Sequence, residues 1–250
     1  TSQKSFRFNQ FSISRFISSI RMTNYLISKT VAVLGGGQVG STLAKAILDS
    51  GKAKKVVIAA RDPEKTKTKL LERGIDSLSV EKSSSAIASA DVIILATPSL
   101  HSDEEILKVA QSMGDVAGKI IIDSTNPVSE FQDGLQIRWK QGTSGGEVFQ
   151  GALPSAFVYK AFNTIGVEHM ACAEGKDMLF CGSSDNNESL ETVREVVSAV
   201  GFNPIYVGPI RYARNLEAMA ELWIHCAIPP LPGANLGREW SFAVAQSPLP

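Results

Sequence analysis

TVAVLGGGQVGSTLAKAILDSG, residues 30–51, decides how this chain is read. An apolar run at Val31–Leu34 leads into glycines, and apolar positions at Leu43, Ala44, Ile47 and Leu48 then recur at helical spacing up to Gly51. That order predicts strand, tight turn, helix. Within the turn Gly35, Gly37 and Gly40 satisfy G-x-G-x-x-G. The first glycine makes the turn, the second lets backbone approach a pyrophosphate, and the third lets helix and strand pack closely. The helix N-terminus then faces the phosphates. The motif alone is common, but here it closes a strand and opens a helix, the context it requires.

Outward from this unit the alternation continues. KKVVIAARD (54–62) predicts a second strand and PEKTKTKLLERG (63–74) a helix with Pro63 in its first turn. A weak strand is expected near Leu78–Val80, then a helix over Ser84–Ala90. DVIILATP (91–98) has the continuous apolar character of a strand buried on both faces. DEEILKVAQSMG (103–114) predicts a helix with acids in its first turn, and GKIIIDSTNP (118–127) another strand. AFVYKAFNT (156–164), DMLFCG (177–182) and NPIYVGP (203–209) read as further strands, with helices over 188–201 and 212–228. The expected class is α/β, a doubly wound and mostly parallel sheet of the Rossmann NAD(P)-binding type, with a C-terminal helical and irregular extension. The expected division is a leader over 1–29, a cofactor-binding domain over 30–210, and a helix with a Pro/Gly-rich tail over 211–250.

The second strand bears on the cofactor. A unit built for NAD ends this strand with Asp or Glu for the ribose 2′-hydroxyl; this one ends Ala59-Ala60-Arg61. Arg61 suits a 2′-phosphate, which a guanidinium grips bidentately, and Lys65 and Lys67 add charge nearby. Asp62 is placed to cap the helix begun by Pro63. These features point to NADP(H). Two further loops end strands at the same edge, Thr97-Pro98-Ser99 and Ser124-Thr125-Asn126-Pro127, and Asn163 supplies a third polar group. Open α/β sheets bind ligands there. The expected cofactor-binding set is Gly35, Gly37, Gln38, Val39, Gly40, Arg61, Lys65, Thr97, Pro98, Asn126 and Asn163, with no catalytic acid and no metal ligand assigned.

Composition narrows the partners. Lys and Arg number 25 against 25 Asp and Glu, so no general attraction to nucleic acid or anionic lipid is expected, and no apolar run is long enough for a membrane span. The three cysteines have no C-x-x-C spacing, which argues against a disulfide framework, and His101, His169 and His225 are too scattered for a metal site. The neutral balance joins two unlike parts. Residues 1–29 hold Lys4, Arg7, Arg15, Arg21 and Lys29 and no acid, so the remainder is net acidic. An acid-poor, Ser- and Arg-containing leader has the composition of an organelle transit peptide. A plastid or mitochondrial location is expected on that reading, and a cytoplasmic one if the segment is a disordered leader or precedes a start at Met22.

GGGQVG (35–40), AARD (59–62), ATP (96–98), DSTNP (123–127), KAFNT (160–164) and GPIRYARNLEAMAELWI (208–224) together resemble the coenzyme F420-dependent NADP oxidoreductase family, whose module also forms the NADPH-binding domain of STEAP-type ferric reductases. The resemblance runs from Thr30 to about Ile228. It implies NADP on a Rossmann domain and direct hydride transfer to a flavin or deazaflavin (F420-type) ring, with Gly35, Gly37, Gln38 and Val39 at the pyrophosphate, Arg61 at the 2′-phosphate, and Thr97, Pro98 and Asn163 around the nicotinamide. Ser99 stands where members often carry an aromatic, which alters how an acceptor ring would stack. Residues 228–233 are a candidate wall of the acceptor pocket. The expected partner is a small-molecule redox acceptor, with a homodimer compatible. Two alternatives stay open: an imine reductase resembling pyrroline-5-carboxylate reductase, in which Lys160 or His101 would protonate the substrate, and an NADP(H)-binding sensor or partner subunit without turnover.

Overall fold

The computed structural model describes residues 24–131, 134–137, 142–183, 185–228, 233 and 235–245. Thr30–Leu34 forms strand β1, Gln38–Asp49 helix α1, Lys55–Ala60 β2, Pro63–Glu72 α2, Ser79–Lys82 β3 and Ser83–Ser89 α3. Val92–Leu95 forms β4, Asp103–Ser112 α4 and Ile120–Asp123 β5. Beyond β5 come a hairpin of Val128–Phe131 (β6) and Gly134–Ile137 (β7), helix α5 (Gly145–Ala152) and strand β8 (Phe157–Lys160). Val167–Met170 (α6), Asp177–Gly182 (β9), Asn187–Val200 (α7), Asn203–Tyr206 (β10) and Ala213–Ala227 (α8) complete the described elements.

The main sheet runs β10-β9-β8-β5-β4-β1-β2-β3. Neighbours from β3 to β8 are parallel, in the doubly wound class expected. The exception is β9, antiparallel to β8 through Tyr159↔Gly182 and Lys160↔Cys181, with β10 then parallel to β9. Successive residues alternate between two apolar layers. Val31, Val33, Ile94 and Ile122 face the layer shared with α1 and α7, while Ala32, Ile93, Leu95 and Ile121 face α3, α4 and α5. That double burial is why these strands are uninterruptedly apolar. Helix α1 sinks Leu43 and Ile47 completely, each contributing roughly 1.5–3 kcal/mol.

Local chemistry ends the helices where the sequence marks them. Asp62 accepts from the Lys65 N–H at 3.0 Å, Ser102 from Glu105 N–H at 3.2 Å and Asn186 from Ser189 N–H at 2.9 Å, each a side-chain N-cap. At α5, Ser144 is the N-cap: its Oγ accepts from the Glu147 N–H at 3.2 Å and donates to Glu147 Oε2 at 2.8 Å. Neither the β6–β7 hairpin nor α5 was expected from the sequence.

Most of the leader, residues 1–23, lies outside the described residues. Its last residues pack on the domain: Leu26 is fully buried, and the Tyr25 and Leu26 N–H groups donate to Glu195 of α7 at 3.0 and 2.6 Å. Of the candidate acceptor wall, residues 229–232 lie outside the described set. The tail over 235–245 folds back along α8. Trp223 Nε1 donates to the Trp240 carbonyl at 2.8 Å, the two rings stack with centroids 6.1 Å apart, and Arg238 holds Glu168 of α6 at 2.6 Å. Among the described residues no helix is long and apolar enough to cross a membrane.

Candidate functional site

The direction of strand order reverses between β1 and β4, and the crevice at their carboxyl ends is where doubly wound sheets hold ligands. The glycine turn fills that position. Gly35 has φ +121°, and a Cβ there would stand 2.4 Å from the Ala96 carbonyl oxygen at the end of β4. A Cβ on Gly40 would stand 2.0 Å from the Gly35 oxygen, so only glycine lets α1 begin this close to the turn. A Cβ on Gly37 would meet nothing within 4 Å, leaving its backbone open to a ligand. Gln38, Val39 and Gly40 follow as the first turn of α1, with their free N–H groups at the positive end of the helix.

A cavity of about 1020 Å³ opens from this turn toward β2. It is lined by Gly35, Gly36, Arg61, Lys65, Thr97 and Pro98, which brings five of the eleven expected residues (Gly36 being additional) to one space. Lys67 is not among the lining residues. Sequence reasoning missed Lys69 and, across the cavity on α4, Lys108. The signal was available for Lys69, which lies four residues after Lys65 on the same face of α2. For Lys108 no local signal existed, because it reaches the cavity from α4, some forty residues along the chain from α2. Arg61, Lys65, Lys69 and Lys108 are exposed and form no ion pair among the described residues, while Asp62 is engaged as a cap and Glu105 accepts from the His101 N–H. Ile87, Leu100 and Val109 give the far wall an apolar surface.

Asn126 and Asn163 lie apart from that cavity, on the loops after β5 and β8. They bind each other: Asn126 Nδ2 donates to the Asn163 carbonyl at 3.1 Å, and Asn163 Nδ2 to Asn126 Oδ1 at 3.3 Å. Asn163 Nδ2 also donates to the Leu216 carbonyl of α8 at 3.0 Å. Its own Oδ1 is buried without a partner among the described residues, as is Thr97 Oγ1 on the neighbouring loop. Such atoms are costly unless something binds them. Phe162, immediately before Asn163, has φ +67°, the one positive value outside glycine among the described residues. A non-glycine residue held there stores about 1–3 kcal/mol, which neighbouring packing must sustain. Phe162 is buried in the core and its N–H meets Met178 Sδ at 3.2 Å.

Lys160 is not positioned to reach a substrate. It is fully buried at the end of β8, donating to Asp123 Oδ2 at 2.8 Å and the Thr125 carbonyl at 2.7 Å, with Glu217 Oε1 of α8 at 3.0 Å. Burial alone would push the ammonium's pKa down; Asp123 and Glu217 more than reverse this and hold it above the ordinary lysine value. Its role as a proton donor, one of the two considered for the imine-reductase alternative, is therefore withdrawn. His101 is exposed at the start of α4. Of the cysteines, Cys172 is exposed, Cys226 half-buried, and Cys181 buried with its thiol pushed up to about 12, chiefly by burial. No group of three or more His, Cys, Asp or Glu among the described residues is arranged to hold a metal ion.

A glycine-closed crevice at the switch point of a doubly wound sheet, flanked by cations that no described carboxylate pairs, defines a dinucleotide-binding protein of the Rossmann class. Residues 30–127 match the family model described as NADP oxidoreductase, coenzyme F420-dependent. Similarities extend further along the chain. Metalloreductase STEAP3 of Rattus norvegicus is 30% identical over 192 residues, which span 76% of this chain but only 36% of that protein. A solved chain from Arthrobacter sp. FB24, provisionally described as an F420-dependent NADP-reductase, superposes with a TM-score of 0.71 at 24% identity, covering 88% of this chain and 100% of the other. A reductive aminase from Aspergillus terreus, solved in complex with NADPH and ethyl-5-oxohexanoate, has a TM-score of 0.55 at 18% identity, covering 78% and 60%. At these identities the two structures speak for the fold.

Proposed function

We propose that this chain binds NADP(H) along the carboxyl edge of its sheet and transfers hydride between the nicotinamide and a flavin- or deazaflavin-like acceptor. The observation that carries the reading is the set of solvated cations around the cavity beside the glycine turn, together with the family-model match over residues 30–127. An open space of about 1020 Å³ that starts at the Gly35–Gly36 turn and is lined by Arg61 and Lys65 fits a dinucleotide carrying an extra phosphate. On this reading Gly35, Gly37, Gln38, Val39 and Gly40 meet the pyrophosphate, Arg61 and Lys65 the 2′-phosphate, and Ile87, Leu100 and Val109 the adenine. Thr97, Pro98, Asn126 and Asn163 flank the nicotinamide, whose carboxamide would satisfy the unpartnered Asn163 Oδ1.

Hydride transfer between two ring cofactors needs alignment and exclusion of water more than a proton donor. The chain supplies alignment: the Asn126–Asn163 pair is braced by α8, and no acid or base needs to be assigned. Mixing the purified protein with NADPH and a panel of flavin, deazaflavin, ferric and quinone acceptors, and following loss of the dihydronicotinamide absorbance, tests this. Oxidation with a flavin or deazaflavin is expected. NADPH binding with no oxidation by any acceptor would instead make the chain a sensor or partner subunit, and turnover only with imines would make it an imine reductase.

A further inference from the structure

The Asp123–Lys160–Glu217 cluster has one carboxylate more than it needs. Asp123 ends β5 and Lys160 ends β8, side by side in register, and Glu217 reaches them from α8; all three are at most 1% exposed. The three protons of Lys160 are matched by Asp123, the Thr125 carbonyl and Glu217. The remaining carboxylate oxygens meet backbone N–H groups and the Thr125 hydroxyl. Asp123 Oδ1 accepts from the Thr125 N–H at 2.9 Å and its hydroxyl at 2.7 Å. Glu217 accepts from the N–H groups of Gly145 and Gly146 at 3.1 and 3.2 Å. Both acids face the Lys160 ammonium, and backbone N–H groups point at their other oxygens, a surrounding of donors that stabilises the carboxylate form of each. Cys181, beside Lys160 in register, is a neutral thiol with its pKa pushed up to about 12. The nearby Arg214–Glu147 pair sums to zero, and Arg211, which also acts on Glu147, stands exposed where solvent screens it. The cluster therefore carries one net negative charge. The N-terminus of α5, which donates to Glu217, offsets part of that charge without cancelling it.

A single carboxylate would have satisfied Lys160, and a surplus buried charge is costly to keep. Its location gives it a use. The cluster grips Thr125, the residue before Asn126, and Lys160 lies three residues before Asn163. We propose that the Asp123–Lys160–Glu217 cluster is a positioning element whose net negative charge favours the oxidised, cationic nicotinamide ring over the reduced, neutral one. This rests on the reading that the loops bearing Asn126 and Asn163 flank the nicotinamide. When the hydride leaves C4 with both electrons of its C–H bond for a flavin- or deazaflavin-like acceptor, the ring is left with a positive charge. A fixed negative field in a region of low dielectric lowers the energy of that product and of the charge developing on the way to it. The reduced cofactor becomes a stronger hydride donor.

Glu217→Gln and Asp123→Asn each bring the cluster to zero while breaking different hydrogen bonds. Calorimetric titration of both variants and the unaltered chain with NADP+ and with NADPH reads the effect, and thermal melting shows which variants fold. The Kd for NADP+ relative to that for NADPH is expected to rise about three- to tenfold in each folded variant. A merely structural cluster would weaken both ligands in parallel, and an unchanged ratio in either folded variant overturns the proposal while leaving the NADP site standing. If the unaltered chain bound neither nucleotide, the site reading would fall and this proposal with it.

Discussion

On the β2 side of the sheet edge, Arg61, Lys65, Lys69 and Lys108 stand in solvent around an open cavity and form no ion pair among the described residues. On the β5–β8 side, Lys160 is sealed between two carboxylates and a carbonyl, and the asparagines above it bond each other and α8. The difference shows two ways of holding charge along one sheet edge. Solvated long side chains cost the folded chain little and are free to close on a phosphate. Buried groups must be ordered before the ligand arrives, and so are built into the core.

That contrast can be broken most forcefully at Lys160. Replacing it with Met leaves Asp123 and Glu217 buried without their cation, and a loss of about 3–5 kcal/mol in folding stability is expected, read by urea unfolding. A variant as stable as the parent would mean the cluster does not weld β5, β8 and α8 together. Arg61→Ala is the matching change on the open side. Folding should be nearly unaffected, while NADPH affinity falls by about 1.5–3 kcal/mol and NADH affinity stays put. Equal loss for both nucleotides would remove the 2′-phosphate assignment.

The smallest effect is expected between the two regions, where Arg214 of α8 holds Glu147 of α5 through two hydrogen bonds at 2.7 and 2.6 Å. Burial raises the Glu147 pKa, but hydrogen bonds from Arg214 and Ser144 outweigh it and hold the carboxyl below its usual range. A depressed folded-state value means stability present above the unfolded-state pKa and lost as pH falls through the folded one. The melting temperature of the parent should therefore exceed that of Glu147→Gln by a small margin near neutral pH. The margin should vanish in acid below the ordinary glutamate range. A margin that persisted there would show the pair contributes through shape and not charge.

Much of this was legible in the residues. Continuous apolar runs marked the central strands because those strands are buried on both faces, and glycine spacing marked the turn because only a missing Cβ fits 2.0 Å from a carbonyl. Arg61 and Lys65 were visible through strand-end chemistry, and Asp62 capped its helix as expected. The β6–β7 hairpin was not visible, since its strands are only four residues each and pair with each other outside the main sheet. Lys160 looked like an ordinary strand-end lysine, because neither of its acidic partners is near it in sequence: Asp123 is 37 residues before it, and Glu217 comes from the last helix.

The sequence by itself thus determined the doubly wound architecture, the glycine turn and the cationic strand end, all consequences of periodicity and steric need within a few residues. Only the tertiary structure decided which charges are free and which are spent. It placed Lys69 and Lys108 around the same cavity, buried the Asp123–Lys160–Glu217 cluster, and left Asn163 Oδ1 and Thr97 Oγ1 without partners among the described residues. The reason is physical: burial and electrostatic partnership depend on contacts between distant segments, which no local spacing encodes.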